Sequence, residues 1–334
     1  MKLKSTDLNK KVLIIAEVGN NHEGNFNRAK KLLIEAKKSG ADLVKFQSIN
    51  PSEFVREKDK KRFLQLKKFQ FSEKKIKDLY KIAKKNKIDL FFTFFDVGSL
   101  DRFKKYQKYF KIASCDNNNF ELIKFVKKLN KPSFISTGIA DMKLLVKLYD
   151  YLGNKKKNFT FLNCISDYPA NISNLNLGVY KLFKKKFPKV KIGYSDHTIG
   201  IEACCYSVIQ GAEVIEKHFT LNKKQSKFTD HQLSANPNEF RELVNSIRKI
   251  EMILINSNNQ IKNLSYGEQK NRSLFRRSIY ASRDLKKGDR IKRSFLKILR
   301  PEIGVSCENL DKVINKVLAK DIKKGDPILK DNYR

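Results

Sequence analysis

Residues 191–218 read KIGYSDHTIGIEACCYSVIQGAEVIEKH, and their pattern decides the fold. Lys191–Tyr194 and Val214–Lys217 are short β-rich runs, and between them Ile199–Gln210 carries apolar residues at helical spacing. A strand, a helix and a second strand in that order make one unit of a parallel sheet. Polar residues stand where each strand ends: Ser195 and His197 after the first, His218 after the second.

The same alternation extends back to the start of the chain. Strand candidates are Val12–Ala16, Leu43–Gln47, Leu90–Phe94, Phe110–Ala113, Ser133–Ser136 and Phe159–Leu162. Helical patterns lie at Asn27–Ser39, Glu73–Asn86, Phe120–Leu129, Met142–Leu152 and Pro237–Ile255. Eight strands, each followed by a helix, close a (β/α)8 TIM barrel, whose usual size is about 250 residues. The strand bodies are apolar, whereas their C-terminal ends carry Glu17, Lys45, Gln47, Thr93, Ser114, Ser136, Tyr168, Ser195, His197 and His218. A barrel gathers all of these into one mouth, but an open doubly wound sheet would gather only a few at its switch point. The barrel is the expected fold.

After residue 256 the pattern changes. Residues 257–275 read as a polar linker, and 276–334 as a small β-rich module with strands at Ser278–Ala281 and Ile298–Leu299. Within it DLKKGDRI (284–291) and DIKKGDPI (321–328) are near repeats, which predicts pseudo-symmetry. About 60 residues is marginal for an independent fold, so no core of its own is expected there.

Composition narrows the function classes. The 334 residues are 40% hydrophobic, with 24 Phe and 12 Tyr, enough for a large core despite 32% charge. The net charge of +36 raises the question of nucleic acid. The lysines, however, recur singly and in pairs on nearly every helical pattern beside Leu, Ile and Phe, as solvated outer faces do. No nucleic-acid-binding motif accompanies them. Five cysteines without a CxxC pair suggest a reducing compartment. MKLKSTDLNK lacks the apolar core of a signal peptide, and no run is long enough to span a membrane. The expectation is a soluble, cytoplasmic protein with neither nucleic-acid nor membrane partners.

The residues at the mouth suggest anion chemistry. Glu17 ends a buried strand, where a carboxylate is costly unless paired or working on a ligand. Lys45 and Gln47 share one strand face, and hydroxyls and lysines at Thr93, Lys111, Ser114 and Ser136 suit a polyanion. His197 and His218 close neighbouring strands, where two imidazoles can share a divalent ion or simply bond within their loops.

The motifs IIAEVGNNHEGN, GADLVKFQ, FKIAS, ISTG, GYSDHT, EKHFT and LRPEIG…KKGDPI occur in the order found in N-acetylneuraminate (sialic acid) synthases. The chain resembles that family from about Val12 onward. The resemblance implies a (β/α)8 barrel followed by an antifreeze-like (SAF) domain. It also implies condensation of phosphoenolpyruvate with an N-acylated amino sugar, and a domain-swapped homodimer. His197 and His218 match the family's ligands of a divalent metal, Mn²⁺ first, with Mg²⁺ or Co²⁺ as alternatives. Lys45, Thr93, Lys111, Ser114, Ser136 and Ser195 match groups that hold phosphoenolpyruvate. Glu17 and Gln47 match groups near the reacting centre, and Tyr168 matches a tyrosine in a Tyr-Pro turn. Asp230 matches an acid that contacts the sugar, and Arg300 an arginine that reaches the partner's mouth. Ser166 stands where some members have Asn, and an insertion is expected between His218 and Asp230. Both departures concern the sugar side, leaving legionaminic, pseudaminic or spore-coat precursors as alternative products of the same chemistry. A non-catalytic sugar- or nucleic-acid-binding barrel is the rival from a different class.

Overall fold

The structure is a computed structural model that describes residues 11–226, 228–255 and 262–334. The reading of the first ten residues, and the part of the linker up to 261, lie outside the described residues. The chain divides into two compact units, Met1–Asn258 and Asn259–Arg334.

The first unit contains eight parallel strands: β1 (Leu13–Gly19), β2 (Leu43–Ser48), β3 (Asp89–Phe94), β4 (Phe110–Ile112), β5 (Ser133–Ser136), β6 (Phe159–Cys164), β7 (Lys191–Asp196) and β8 (Val214–His218). Between and after them lie α1 (Phe26–Lys38), α2 (Lys60–Phe69), α3 (Glu73–Lys85), α4 (Val97–Phe103), α5 (Phe120–Leu129) and α6 (Met142–Leu152). They are followed by α7 (Val179–Lys186), α8 (Glu202–Ile209), α9 (Asp230–Leu233) and α10 (Pro237–Leu254). The helices start where polar side chains can take up free backbone N–H groups. Asn25, Ser72, Asp96, Asn119 and Asp141 each accept such a bond, and Asn236 forms a capping box with Glu239 beside Pro237.

The strands pair in the order β3-β2-β1-β8-β7-β6-β5-β4. The two ends, β3 and β4, lie against each other and close the barrel. Between these two strands a side chain replaces the ladder. The Gln107 carboxamide oxygen accepts from Phe92 N–H at 3.0 Å, and its amide donates to Phe92 C=O at 3.4 Å. Tyr80 Oη donates to the same oxygen at 2.7 Å. The barrel interior is plugged by Ile15, Leu43, Phe91, Phe134, Leu162 and Val214. Gly193 is part of that packing: a Cβ there would come within 2.6 Å of both Leu162 Cδ2 and Val214 O. Above the plug the inward positions are polar except for Cys164, so the apolar layer forms the floor of the site. Among the described residues no helix is long and apolar enough to cross a membrane.

The second unit differs from expectation in two ways. The stretch read as linker contains a helix, α11 (Tyr266–Phe275), started by a Ser265–Glu268 capping box and with no buried residue. The β-rich module does have its own core, built from Ile279, Leu285, Ile291, Leu296, Val313, Leu318, Ile322 and Ile328. Its antiparallel strands are β9 (Ser278–Ala281) and β10 (Leu296–Leu299), and one further short helix, α12, spans Leu310–Val313. The near repeats explain how so short a segment organises a core. Leu285 and Ile322, equivalent in the two repeats, exchange backbone hydrogen bonds of 2.8 and 2.9 Å. Asp284 accepts from Lys324 N while Asp321 accepts from Lys287 N, a reciprocal pair about a local pseudo-twofold.

Candidate active site

The parallel register places four charges on one level above the apolar plug. Glu17 lies opposite both Lys45 and His218, and Ser195 lies opposite Glu216. Lys45 Nζ stands 2.8 Å from Glu17 Oε2 and 3.6 Å from Glu216 Oε2, and Lys111 Nζ stands 3.3 Å from Glu216 Oε1. All four side chains are at most 5% exposed. Unpaired, each would be prohibitively costly there; together they balance two against two. The two carboxyls are not equivalent. Burial, against the pull of Lys45, raises Glu17 to about 7. Burial also opposes ionisation of Glu216, but the charges of Lys111 and Lys45 outweigh it and hold that carboxyl at about 2. One acid is therefore poised to exchange a proton near neutrality and the other stays ionised, a division of roles seen in acid–base sites.

Hydroxyls ring the cluster. Lys45 donates to Thr93 Oγ1 at 3.2 Å, Lys111 to Ser136 Oγ at 2.6 Å, and Ser195 Oγ to Glu216 Oε1 at 2.9 Å. Gly138 brings Ser114 and Ser166 together, since a Cβ there would lie 2.7 Å from one Oγ and closer still to the other. The Ser166 hydroxyl is buried without a partner, and Ser114 has only the Cys164 sulfur at 3.7 Å. Asn117 holds this loop by donating to the carbonyls of Ser136 and Gly138. Two lysines, several hydroxyls and one unsatisfied hydroxyl on the same side form a receptor for a multiply charged anion.

On the other side stand the imidazoles, with ring centroids 5.3 Å apart. His197 Nδ1 donates to the Ile165 carbonyl at 2.6 Å, which leaves Nε2 with its lone pair. His218 Nδ1 is buried with no hydrogen-bond partner, and burial drives its pKa well below the ordinary value, so the ring is neutral. A fixed tautomer on one ring and an orphaned nitrogen on the other fit a divalent cation. No third His, Cys, Asp or Glu among the described residues joins them, so the remaining positions would fall to substrate or water. The Tyr168 ring lies against His197, tilted by 33° with centroids 4.1 Å apart, and burial raises its phenol far above the ordinary range. The loop is held from behind by Asp196, which accepts from Lys217 Nζ at 2.7 Å and from Thr198 N at 3.0 Å.

The barrel thus brings together Glu17, Lys45, Gln47, Thr93, Lys111, Ser114, Ser136, Ser166, Tyr168, Ser195, His197 and His218. Gln47 is held between Asn20, at 3.0 Å, and Glu17, at 3.3 Å. Asp230 opens α9, where burial raises its carboxyl above the ordinary range against the opposing charge of Arg62. Arg300 lies in the second unit, exposed and with no side-chain partner among the described residues. His22 and His231 serve structure: His22 stacks on Phe71, and His231 is tied to Thr220 and Glu23. Sequence reasoning missed Glu216. Its signal was present, because it sits two residues before His218 on a strand and therefore faces the same way.

The chain also matches known families and proteins. The NeuB family profile matches residues 32–259 and the SAF domain profile matches 276–334. The chain is 38% identical to the N,N'-diacetyllegionaminic acid synthase of Campylobacter jejuni, over 96% of this chain and 99% of that protein. It is 34% identical to the pseudaminic acid synthase of the same species, over the full length of both. The crystal structure of N-acetylneuraminic acid synthetase from Leptospira borgpetersenii, in complex with citrate, superposes with a TM-score of 0.73. That pair is 34% identical, with 78% of this chain and 90% of the other covered. With its barrel, the charged cluster above its apolar floor and its small C-terminal module, the chain belongs to the NeuB family and carries a C-terminal SAF domain.

Proposed function

We propose that the chain condenses phosphoenolpyruvate with an N-acylated amino sugar, N-acetylmannosamine or a relative, to give a sialic-type nonulosonic acid and phosphate. The observation that carries this reading is the buried pair of lysines, ringed by hydroxyls, that faces two imidazoles across the barrel mouth. Lys45 and Lys111, with Thr93, Ser114, Ser136, Ser166 and Ser195, hold the phosphate and carboxylate of phosphoenolpyruvate. C3 of that substrate attacks the aldehyde carbon of the open-chain sugar. The C=O π electrons pass to the oxygen, which takes up a proton to become a hydroxyl, and positive charge is left at C2. The ionised Glu216 lies where it stabilises that charge. Water adds at C2, Glu17 takes its proton, and the tetrahedral product expels phosphate. Gln47 and Tyr168 orient the reacting ends, and Asp230 binds a sugar hydroxyl. His197 and His218 would hold a divalent cation, Mn²⁺ before Mg²⁺ or Co²⁺, which when bound supplies Lewis-acid polarisation of the sugar carbonyl.

Arg300 is assigned to the sugar's N-acyl group in the barrel of a second copy, in a domain-swapped homodimer working in the cytoplasm. Mixing Arg300→Ala with His197→Ala protomers should restore activity through the one intact hybrid site. Background activity after confirmed subunit exchange rules that arrangement out. The reaction itself is tested by phosphate release from phosphoenolpyruvate with a panel of N-acylated amino sugars, with and without a chelator. Sugar-dependent release that the chelator abolishes is the expected result. No release with any sugar, or full activity in excess chelator, overturns the scheme. The legionaminic and pseudaminic readings, which the two Campylobacter relatives favour, are separated by the same panel.

A further inference from the structure

The two imidazoles at the mouth are not held alike. His218 is the last residue of β8 and is paired in the ladder with Glu17 of β1. His197 lies just past the end of β7, and the β7–β8 ladder stops at the row that sets Asp196 opposite Lys217. Each residue of that last row directly precedes one of the histidines. Side chains alternate along a strand, so Asp196 and Lys217 point away from the mouth, toward α8.

There they form an ion pair at 2.7 Å, with neither residue more than 1% exposed. Lys217 Nζ also donates to the Thr198 carbonyl. Asp196 accepts from Thr198 N–H at 3.0 Å and from the Thr198 hydroxyl at 3.2 Å. Tyr194 Oη, at 3.0 Å, and Cys204 Sγ of α8, at 3.3 Å, donate to the same carboxylate. The residues on both sides of His197 are thus fastened to the residue before His218.

A buried ion pair is a poor source of stability, because apolar side chains of the same volume hold a fold as well or better. What this pair supplies is direction. Beyond the last ladder row the backbone of β8 no longer sets the spacing to the chain leaving β7. The Lys217 ammonium takes over there by reaching Thr198, one residue past the histidine. Ligands that share one cation have to keep their places within about 0.5 Å, so this hold bears directly on affinity.

We propose that Asp196 and Lys217 are positioning residues for the metal site: their pair fixes the separation of the His197 and His218 rings and so sets cation affinity without touching cation or substrate. This inference rests on the assignment of a divalent cation to those rings and adds the groups that hold them in place.

The test is direct titration with Mn²⁺ alone, by calorimetry on the full chain without substrates. Changing Lys217 by itself would strand a buried carboxylate, so the first variant is Asp196→Asn with Lys217→Met, which leaves no unpaired charge. The second, Asp196→Glu, keeps the ion pair but moves the carboxylate one methylene along relative to Thr198. Either variant, once shown to fold, should bind Mn²⁺ about tenfold or more weakly, with its metal-free affinity for phosphoenolpyruvate unchanged. Gln107→Leu, a destabilising change on the opposite side of the barrel, should bind Mn²⁺ as wild type does. Wild-type Mn²⁺ affinity in a folded variant overturns the positioning role and leaves the synthase reading standing. So does an equal loss of Mn²⁺ and phosphoenolpyruvate affinity, or an equal loss of Mn²⁺ affinity in Gln107→Leu. No Mn²⁺ binding by the wild-type chain overturns the cation assignment and this inference together.

Discussion

Glu216 carries the clearest expectation for a single side chain. Replacing it by Gln keeps the shape and the Ser195 contact but removes the charge between Lys111 and Lys45. Both lysines then face an incoming anion with one competitor fewer, so KM for phosphoenolpyruvate should fall. The positive charge at C2 loses its counterpart, so kcat should drop about a hundredfold or more. A parallel loss in both parameters would make Glu216 a structural counter-ion only. His22 gives a pH-dependent case. Burial, assisted by Arg28, holds its pKa at about 3, whereas an unfolded chain titrates at the ordinary 6.5. Between those values only the unfolded state takes up the proton, so the stability from a neutral His22 is complete above 6.5 and lost as pH falls toward 3. His22→Gln removes that dependence. The stability gap between wild type and variant should narrow by about 2 kcal/mol from pH 7 to pH 5, at about 1.4 kcal/mol per unit. An unchanged gap in urea titrations at the two pH values would mean that His22 does not stay neutral. At this scale the sequence was legible wherever a polar residue ended an apolar strand. It was less so for Glu216, because a charge inside the run Val214–Lys217 carries no mark of its partners. Lys111 and Lys45 come from strands far away in the chain.

At the scale of elements, all eight strands were readable because short apolar runs bounded by turns are a strong local signal. The helices of the first unit that escaped notice, α2, α4, α7 and α9, run from four to ten residues. In α2 only Leu66 and Phe69 are buried, so its ten residues hold too little periodicity to stand out from lysine-rich loop. The core of the C-terminal module was hidden for another reason. It depends on pairing between two repeats 37 positions apart, Leu285 with Ile322, which no local window can see. The contact between β3 and β4 was also not legible, since one glutamine outside any strand supplies it. Gln107→Leu would leave Phe92 N–H, Phe92 C=O and the Tyr80 hydroxyl without their partner. At roughly 1–3 kcal/mol for each of these three unsatisfied buried groups, a loss of about 3–9 kcal/mol is expected. The denaturant midpoint measures it, and the Phe92 amide should exchange with solvent faster than its neighbours on β3. A variant as stable as wild type would mean that β3 and β4 close without the carboxamide.

For the molecule as a whole, the dominant physical fact is a net charge of +36 on 334 residues. Self-repulsion of that size destabilises a compact state, and salt screens it within about 10 Å at 0.1 M. Raising NaCl from 20 to 300 mM should therefore raise Tm, by roughly 2–4 °C for each 1 kcal/mol recovered. A flat or falling Tm would show that the exposed ion pairs already offset the excess. The strand order has a separate consequence. The barrel's first strand and last helix lie side by side, since Arg248 of α10 donates to Val12 C=O and Glu251 accepts from Val12 N–H. The one place without a strand ladder falls instead in the first third of the chain, between Phe94 and Phe110. A circular permutant that joins residue 255 to residue 11 and opens the backbone at the exposed Lys104–Lys105 turn would cut no ladder and keep Gln107 with β4. The barrel is built so that its covalent ends and its topological ends need not coincide.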